Sequence, residues 1–165
     1  MDGWLHSTLV TGTLCFGVDG TLIWGKHNCV GSWNDGDMSR EIQERLLDPY
    51  FVADNHGIIS DTAFPVGKDL VGRIMSPLKE EELERAHPQA RAALLRRSQA
   101  ITSLRQACEW GMGAVSKAYR QLLLPLPFNQ KVRQLRLENI HRLYNFRVRT
   151  TEISQIGSVF DVVAK

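Results

Sequence analysis

Cysteine is scarce and poorly spaced for covalent or metal chemistry. Cys15, Cys29 and Cys108 are odd in number and far apart, and no CxxC pair occurs. A disulfide scaffold and a cysteine zinc site are therefore not expected, and a reducing compartment is the default expectation. Long apolar runs are missing as well. No stretch approaches the roughly 18 uncharged residues of a membrane span, and Leu122-Leu123-Leu124 is cut by Pro125 and Pro127. No membrane partner is expected. Met1-Asp2-Gly3 lacks a basic leader, so a signal peptide is not expected either. The histidines His6, His27, His56, His87 and His141 are dispersed without HExxH, and no Walker loop, GxGxxG or GxSxG elbow is present. Ser60 has no histidine at a spacing that suggests a triad. Nucleophilic and nucleotide-cradling chemistries lose their usual signatures.

What remains is an ordinary globular composition. The chain has 165 residues, 43% hydrophobic and 23% charged. That fits a single domain over residues 1–165, and it argues against disorder. The net charge of +2 hides an asymmetry. Residues 1–87 carry 7 basic and 14 acidic side chains, a balance of −7; residues 88–165 carry 13 and 4, a balance of +9. Acidic clusters can hold cations, and basic faces can meet phosphate. A solvated helical surface explains the same numbers.

The chain order reads as strands first and helices later. Leu5 to Phe16 and Thr21 to His27 are β-like, and Asp19-Gly20 between them is a hairpin signal. A helix is predicted over about Ser39 to Leu47, capped by Asp37 or Ser39 and ended by Asp48-Pro49. Asn55-His56-Gly57 is a turn, Ile58 to Asp61 a short buried strand, and Gly72 to Pro77 another short strand. Lys79 to Glu84 is a charged loop or helix start. From Pro88 the period becomes helical, with a seam at Ile101, Leu104, Cys108, Gly111, Val115, Ala118 and Leu122 that Pro125 and Pro127 stop. A final helix over Gln130 to Arg147 is predicted to turn Val132, Leu135, Ile140, Leu143 and Tyr144 inward. This order indicates an α/β or α+β fold with a strand-first sheet.

Carboxylates are the remaining candidates for chemistry. Asp61 ends an apolar strand, where it either meets a partner or closes an Asx-type turn. Glu109 lies beside the apolar seam, one turn after Arg105, with Gly111 and Gly113 just beyond. Close packing near a functional Glu and an ordinary i,i+4 ion pair both fit. Asp35 sits in a polar loop anchored by Trp33, and a turn fully explains Asp19. Asp and Glu side chains brought together from a strand and a helix make hard oxygen sites for Mg2+ or Mn2+, and paired ions of that kind cleave phosphodiesters.

Four blocks occur in order: GSWND (Gly31 to Asp35), ISDTAFP (Ile59 to Pro65), RQACEWGMG (Arg105 to Gly113) and PFNQKVRQLRLENIHRLYNFRVR (Pro127 to Arg149). In this the chain resembles the Harbinger-type DDE transposases, nearest to the DDE superfamily endonucleases common in fungal genomes, from about Gly3 to Phe160. The resemblance implies a ribonuclease H-like mixed sheet flanked by helices, and metal-dependent cutting and joining of transposon DNA. It implies Asp61 and Glu109 as catalytic residues and metal ligands, with Asp35 secondary, and Mg2+ or Mn2+ as cofactor. It implies a nuclear location, DNA as partner and room for a separate DNA-binding partner protein. Lys131, Arg133, Arg136, Arg142, Arg147 and Arg149 are the expected DNA contacts. By the same resemblance the family's first Asp lies on a strand before the segment matching Gly3-Trp4-Leu5-His6, while Asp19 comes one strand too late. The expectation is a domain incomplete at its N-terminus that lacks that carboxylate and strand, with degenerate nuclease activity. A non-catalytic DNA-binding or partner-binding remnant is the alternative, and an inert gene product is a third reading.

Overall fold

A computed structural model describes residues 10–62, 64, 67–151 and 156–159. Leu5 to Leu9 of the first predicted strand, the Gly3 to His6 block, Ala63, Pro65 and most of the tail beyond Thr151 lie outside these residues. The chain divides into two compact units, the first formed by Met1–Asn34 with Ala107–Lys165 and the second by Asp35–Gln106. The architecture is mixed α+β with a helical C-terminal half, as the sequence order indicates.

The first unit opens with a hairpin of β1 (Val10–Phe16) and β2 (Leu22–Val30), antiparallel in the register Val10↔Val30 to Phe16↔Leu22, with two bulge-like shifts. Asp19-Gly20 makes the connection. Asp19 Oδ1 accepts from Thr21 N (2.9 Å) and Thr21 Oγ1 (2.8 Å), and Gly20 takes φ 83°, a conformation that costs glycine little. The Asp is thereby a turn residue, and the bonds from Thr21 hold its carboxyl below the ordinary value.

Helix α4 (Gln130–Thr151) packs on this hairpin, and Asn129 starts it by accepting from Lys131 N (3.0 Å) and Val132 N (3.2 Å). The docking is partly polar. Asn145 bonds both backbone groups of Leu22, at 2.7 and 2.8 Å, and the Tyr144 hydroxyl donates to Gly20 O at 3.2 Å. The core gathers Val115, Ile140, Tyr144 and Val148, with Phe16 packed edge-on to Tyr144.

Two helical expectations change here. The long helix, α3 (Pro88–Ala118), ends before the prolines, and Arg120–Leu123 continues as a 3-10 turn. Val132, Leu135 and Leu143 are 49, 60 and 53% exposed, while Leu137, Ile140, Tyr144 and Val148 are buried. The reason is angular. At about 100° per residue, Leu137, Ile140, Tyr144 and Val148 share the sector that meets the hairpin, and the three exposed residues lie on the other side.

The second unit contains α1 (Asp35–Leu47), a two-residue parallel pair of β3 (Ile58–Ile59) and β4 (Ile74–Met75), α2 (Glu80–Arg85) and the first turns of α3. Helix α1 starts four residues earlier than predicted. Asp35 and Asp37 in its first turn favour the positive helix end. The expected caps are thus inside the helix: Ser39 is fully buried, donates to Gly36 O (3.0 Å) and accepts from Gln43 Nε2 (2.9 Å). Leu46, Leu70 and Ile74 form the core, with Val52, Ile58 and Phe64 against it. Arg73 clamps the preceding turn through Ala53 O (2.6 Å), His56 O (3.0 Å) and Asp54 Oδ1 (3.0 Å).

Candidate functional site

Asp61 stands two residues after the end of β3, and Ser60 between them donates its N–H to Met75 O at 2.9 Å. Its side chain is exposed, and Oδ1 accepts from Phe64 N at 3.1 Å. Asp35 is exposed at the first position of α1. Both belong to the second unit. Glu109, exposed on α3, belongs to the first. Among the described residues no group of three or more His, Cys, Asp or Glu side chains stands together as a metal site.

Glu109 does not stand alone. The last turns of α3 and the C-terminal half of α4 border an open cleft of about 530 Å3, lined by Glu109, Trp110, Gly113, Lys117, Tyr144 and Arg147 among others. Glu109, Gly113 and Lys117 recur every four residues, so they share one face of α3. That spacing was readable in the sequence; the participation of Trp110 and of Arg147 from another helix was not. A cleft lined by two cations and one carboxylate suits a phosphate-bearing ligand.

The six basic residues of the last helix separate by role. Lys131, Arg142 and Arg149 are exposed, and at 3.6 residues per turn they fall within about 20° of one another. They form one solvent stripe, in which Arg142 reaches Glu138 at 3.8 Å. Arg136 and Arg147 share a second line. Arg147 borders the Glu109 cleft, and Arg136 borders a separate cavity of about 480 Å3 with Arg120. Arg133 turns inward. Its guanidinium donates to Asn28 Oδ1 and to the carbonyls of Pro127 (3.1 Å) and Phe128 (3.3 Å), tying β2 and the loop to α4. Asn28 adopts φ 64° and donates to Gln130 O at 3.1 Å.

A feature with no signal in the sequence is the His27–His141 pair. The rings meet edge-on at 4.9 Å, and neither nitrogen of His27 has a hydrogen-bond partner among the described residues. Burial lowers both imidazoles, His141 to about 4.

Among the described residues no helix is long and apolar enough to cross a membrane. No curated protein and no solved structure matches the chain. The family described as DDE superfamily endonuclease matches residues 3–146, most of the chain; with its exposed Asp and Glu and its basic helical half, the protein belongs to that family.

Proposed function

We propose that this chain is a DNA-directed nuclease domain of the Harbinger type. It engages phosphates through Lys131, Arg142 and Arg149, and directs chemistry to a phosphodiester with Asp61 and Glu109. Residues 1–165 act as one functional domain, in the nucleus, with room for a separate DNA-binding partner protein. The observation that supports this most is the cleft that Glu109 lines together with Lys117 and Arg147. A phosphate drawn by the two cations is held beside a carboxylate of the kind this family uses. Dependence on Mg2+ or Mn2+, with Asp35 in a secondary role, is part of the proposal by family membership; no step is derived through the ion.

A second reading is DNA binding without cleavage. It is favoured by the exposed stripe of Lys131, Arg142 and Arg149 on α4. One experiment separates the two. Nicking of supercoiled plasmid is followed with added Mn2+ for the wild type, Asp61→Asn and Glu109→Gln, and duplex binding is measured on the same samples. Nicking lost in both variants with binding intact supports the nuclease. Binding with no nicking by the wild type leaves the second reading. A folded protein that does not bind duplex at low salt sinks both.

A further inference from the structure

We infer that the cleft beside Glu109 is a seat for an unpaired nucleotide, with Trp110 as its stacking platform and Lys117 and Arg147 as its phosphate contacts. The inference rests on the DNA-directed reading above and specifies what that site holds. Trp110 is 45% exposed although it lines a cavity. A large aromatic in that position offers a π face to a ligand. Tyr144 lies at the cleft base, and its hydroxyl is committed to Gly20 O, so it contributes wall and leaves recognition to Trp110 and the cations. The space itself has a cause. A Cβ added at Gly113 would meet nothing within 4 Å, and Ala114 beside it is small, so the helix surface between Glu109 and Lys117 is open.

The combination selects among ligands. Two cations against one carboxylate leave a net positive site that favours a phosphodiester strand over a neutral or cationic ligand. A volume of about 530 Å3 is within the range of small-molecule sites. Paired bases stack on each other and hide their faces, whereas an unpaired base offers a face to an aromatic ring. A strand end or an extruded nucleotide next to Glu109 would bring its phosphate close to that carboxylate.

The test uses the full chain and a short fluorescein-labelled thymidine oligomer, with a duplex of equal length as comparison, followed by anisotropy over a salt series. Trp110→Ala is expected to weaken oligomer binding by roughly 5- to 150-fold, the loss of one base–aromatic stack, and Trp110→Phe to restore most of it. Lys117→Gln and Arg147→Gln should each lower the salt slope for the oligomer by about 0.7. Gly113→Leu places a side chain in the opening at a position where the Cβ itself meets nothing within 4 Å and also improves helix propensity; it should block the oligomer while leaving duplex binding unchanged. Oligomer binding unchanged in both Trp110→Ala and Gly113→Leu overturns the inference, even where plasmid nicking persists. Oligomer binding that depends on Trp110 in a protein that neither nicks nor binds duplex overturns the nuclease reading and leaves the cleft assignment standing.

Discussion

Acid should loosen the hairpin from α4, and His141 should be the main cause. Its imidazole is pushed from an ordinary 6.5 to about 4, first by burial and then by His27, against the opposing charge of Glu138. His27, from β2, is lowered in the same direction by burial. Glu138 is the charged group facing the pair, and it is itself held by Gln134 Nε2 at 2.8 Å and Arg142 at 3.8 Å. A histidine with a lowered folded pKa binds fewer protons when folded than when unfolded. Stability therefore falls as pH drops from the unfolded value near 6.5 toward about 4, and is flat above that window. A fully shielded ring with a shift of this size would account for about 3 kcal/mol; water reaching a half-buried ring roughly halves that, to about 1.5 kcal/mol. Trp24, Trp33 and Trp110 belong to the first unit, and residues 35–106 contain no tryptophan, so tryptophan fluorescence reports the unit that holds the pair. Urea unfolding near pH 7.5 and near pH 4.5 should show a midpoint lower in acid by ~0.5 M, for a slope of ~2 kcal/mol per molar. His141→Phe keeps an aromatic edge contact and cannot be protonated, so its midpoint should move much less. An unchanged wild-type midpoint, or a His141→Phe protein that keeps the full acid shift, would refute the reasoning.

Three further outcomes follow from the geometry. Replacing Lys131, Arg142 and Arg149 together by Gln should flatten the salt dependence of duplex binding by up to about 2.7 in slope with little loss of stability, whereas Arg133→Gln should cost ~1.5–3 kcal/mol in a urea melt through its lost charged hydrogen bonds. Gly57→Ala should destabilise the second unit by at least ~2 kcal/mol in a thermal melt, because the new Cβ would collide with the backbone carbonyl of Arg73, which accepts from Ile58 N at 2.8 Å. Cys15, raised to about 11 by burial and then by Cys108, should alkylate near pH 8 at least ~100-fold more slowly than a free peptide thiol, and denaturant should abolish that difference.

Local chemistry carried the legible part of this fold. The Asp19-Gly20 turn, the stop at Asp48-Pro49, the strand before Asp61 and the helix from Pro88 each rest on residues whose backbone preferences act within a few positions. The misreadings occur where a distant partner decides. A period of 3.6 places Ile140 and Tyr144 correctly as seam residues but does not say on which side the seam's partner lies, so Val132, Leu135 and Leu143 read as inward with them. The hairpin settles that choice through Asn145, Tyr144 and Arg133. The start of α1 falls before the predicted one because Asp35 reads as a loop residue and Asp37 as a cap, although both charges suit a first helical turn. At the site, Glu109 was legible as a Glu beside two glycines; its cleft was not, because Arg147 comes from 38 positions later in the chain.

Helix α4 explains why one segment can be both core and basic face. Taken around its axis, Leu137, His141, Tyr144, Asn145 and Val148 occupy one sector and face the hairpin. Arg136 and Arg147 stand at the edge of that sector, where the cavities open. Lys131, Arg142 and Arg149 occupy the solvent side. Eleven residues separate Arg136 from Arg147 and Lys131 from Arg142, close to three full turns, so each pair stays in line. A long arginine can reach phosphate only if its helix does not roll, and a roll of one residue step would carry the solvent stripe about 100° away. Asn145 resists that roll by closing the two backbone groups of a single strand residue, Leu22, a geometry that a rotated helix cannot reproduce. Asn145→Ala should therefore weaken duplex binding, through misplacement of the stripe, as well as stability, and Asn145→Ala combined with the Lys131, Arg142 and Arg149 replacements should bind no worse than the triple replacement alone. Additive losses in that double comparison would mean that Asn145 acts on folding only and that the register of α4 is set elsewhere.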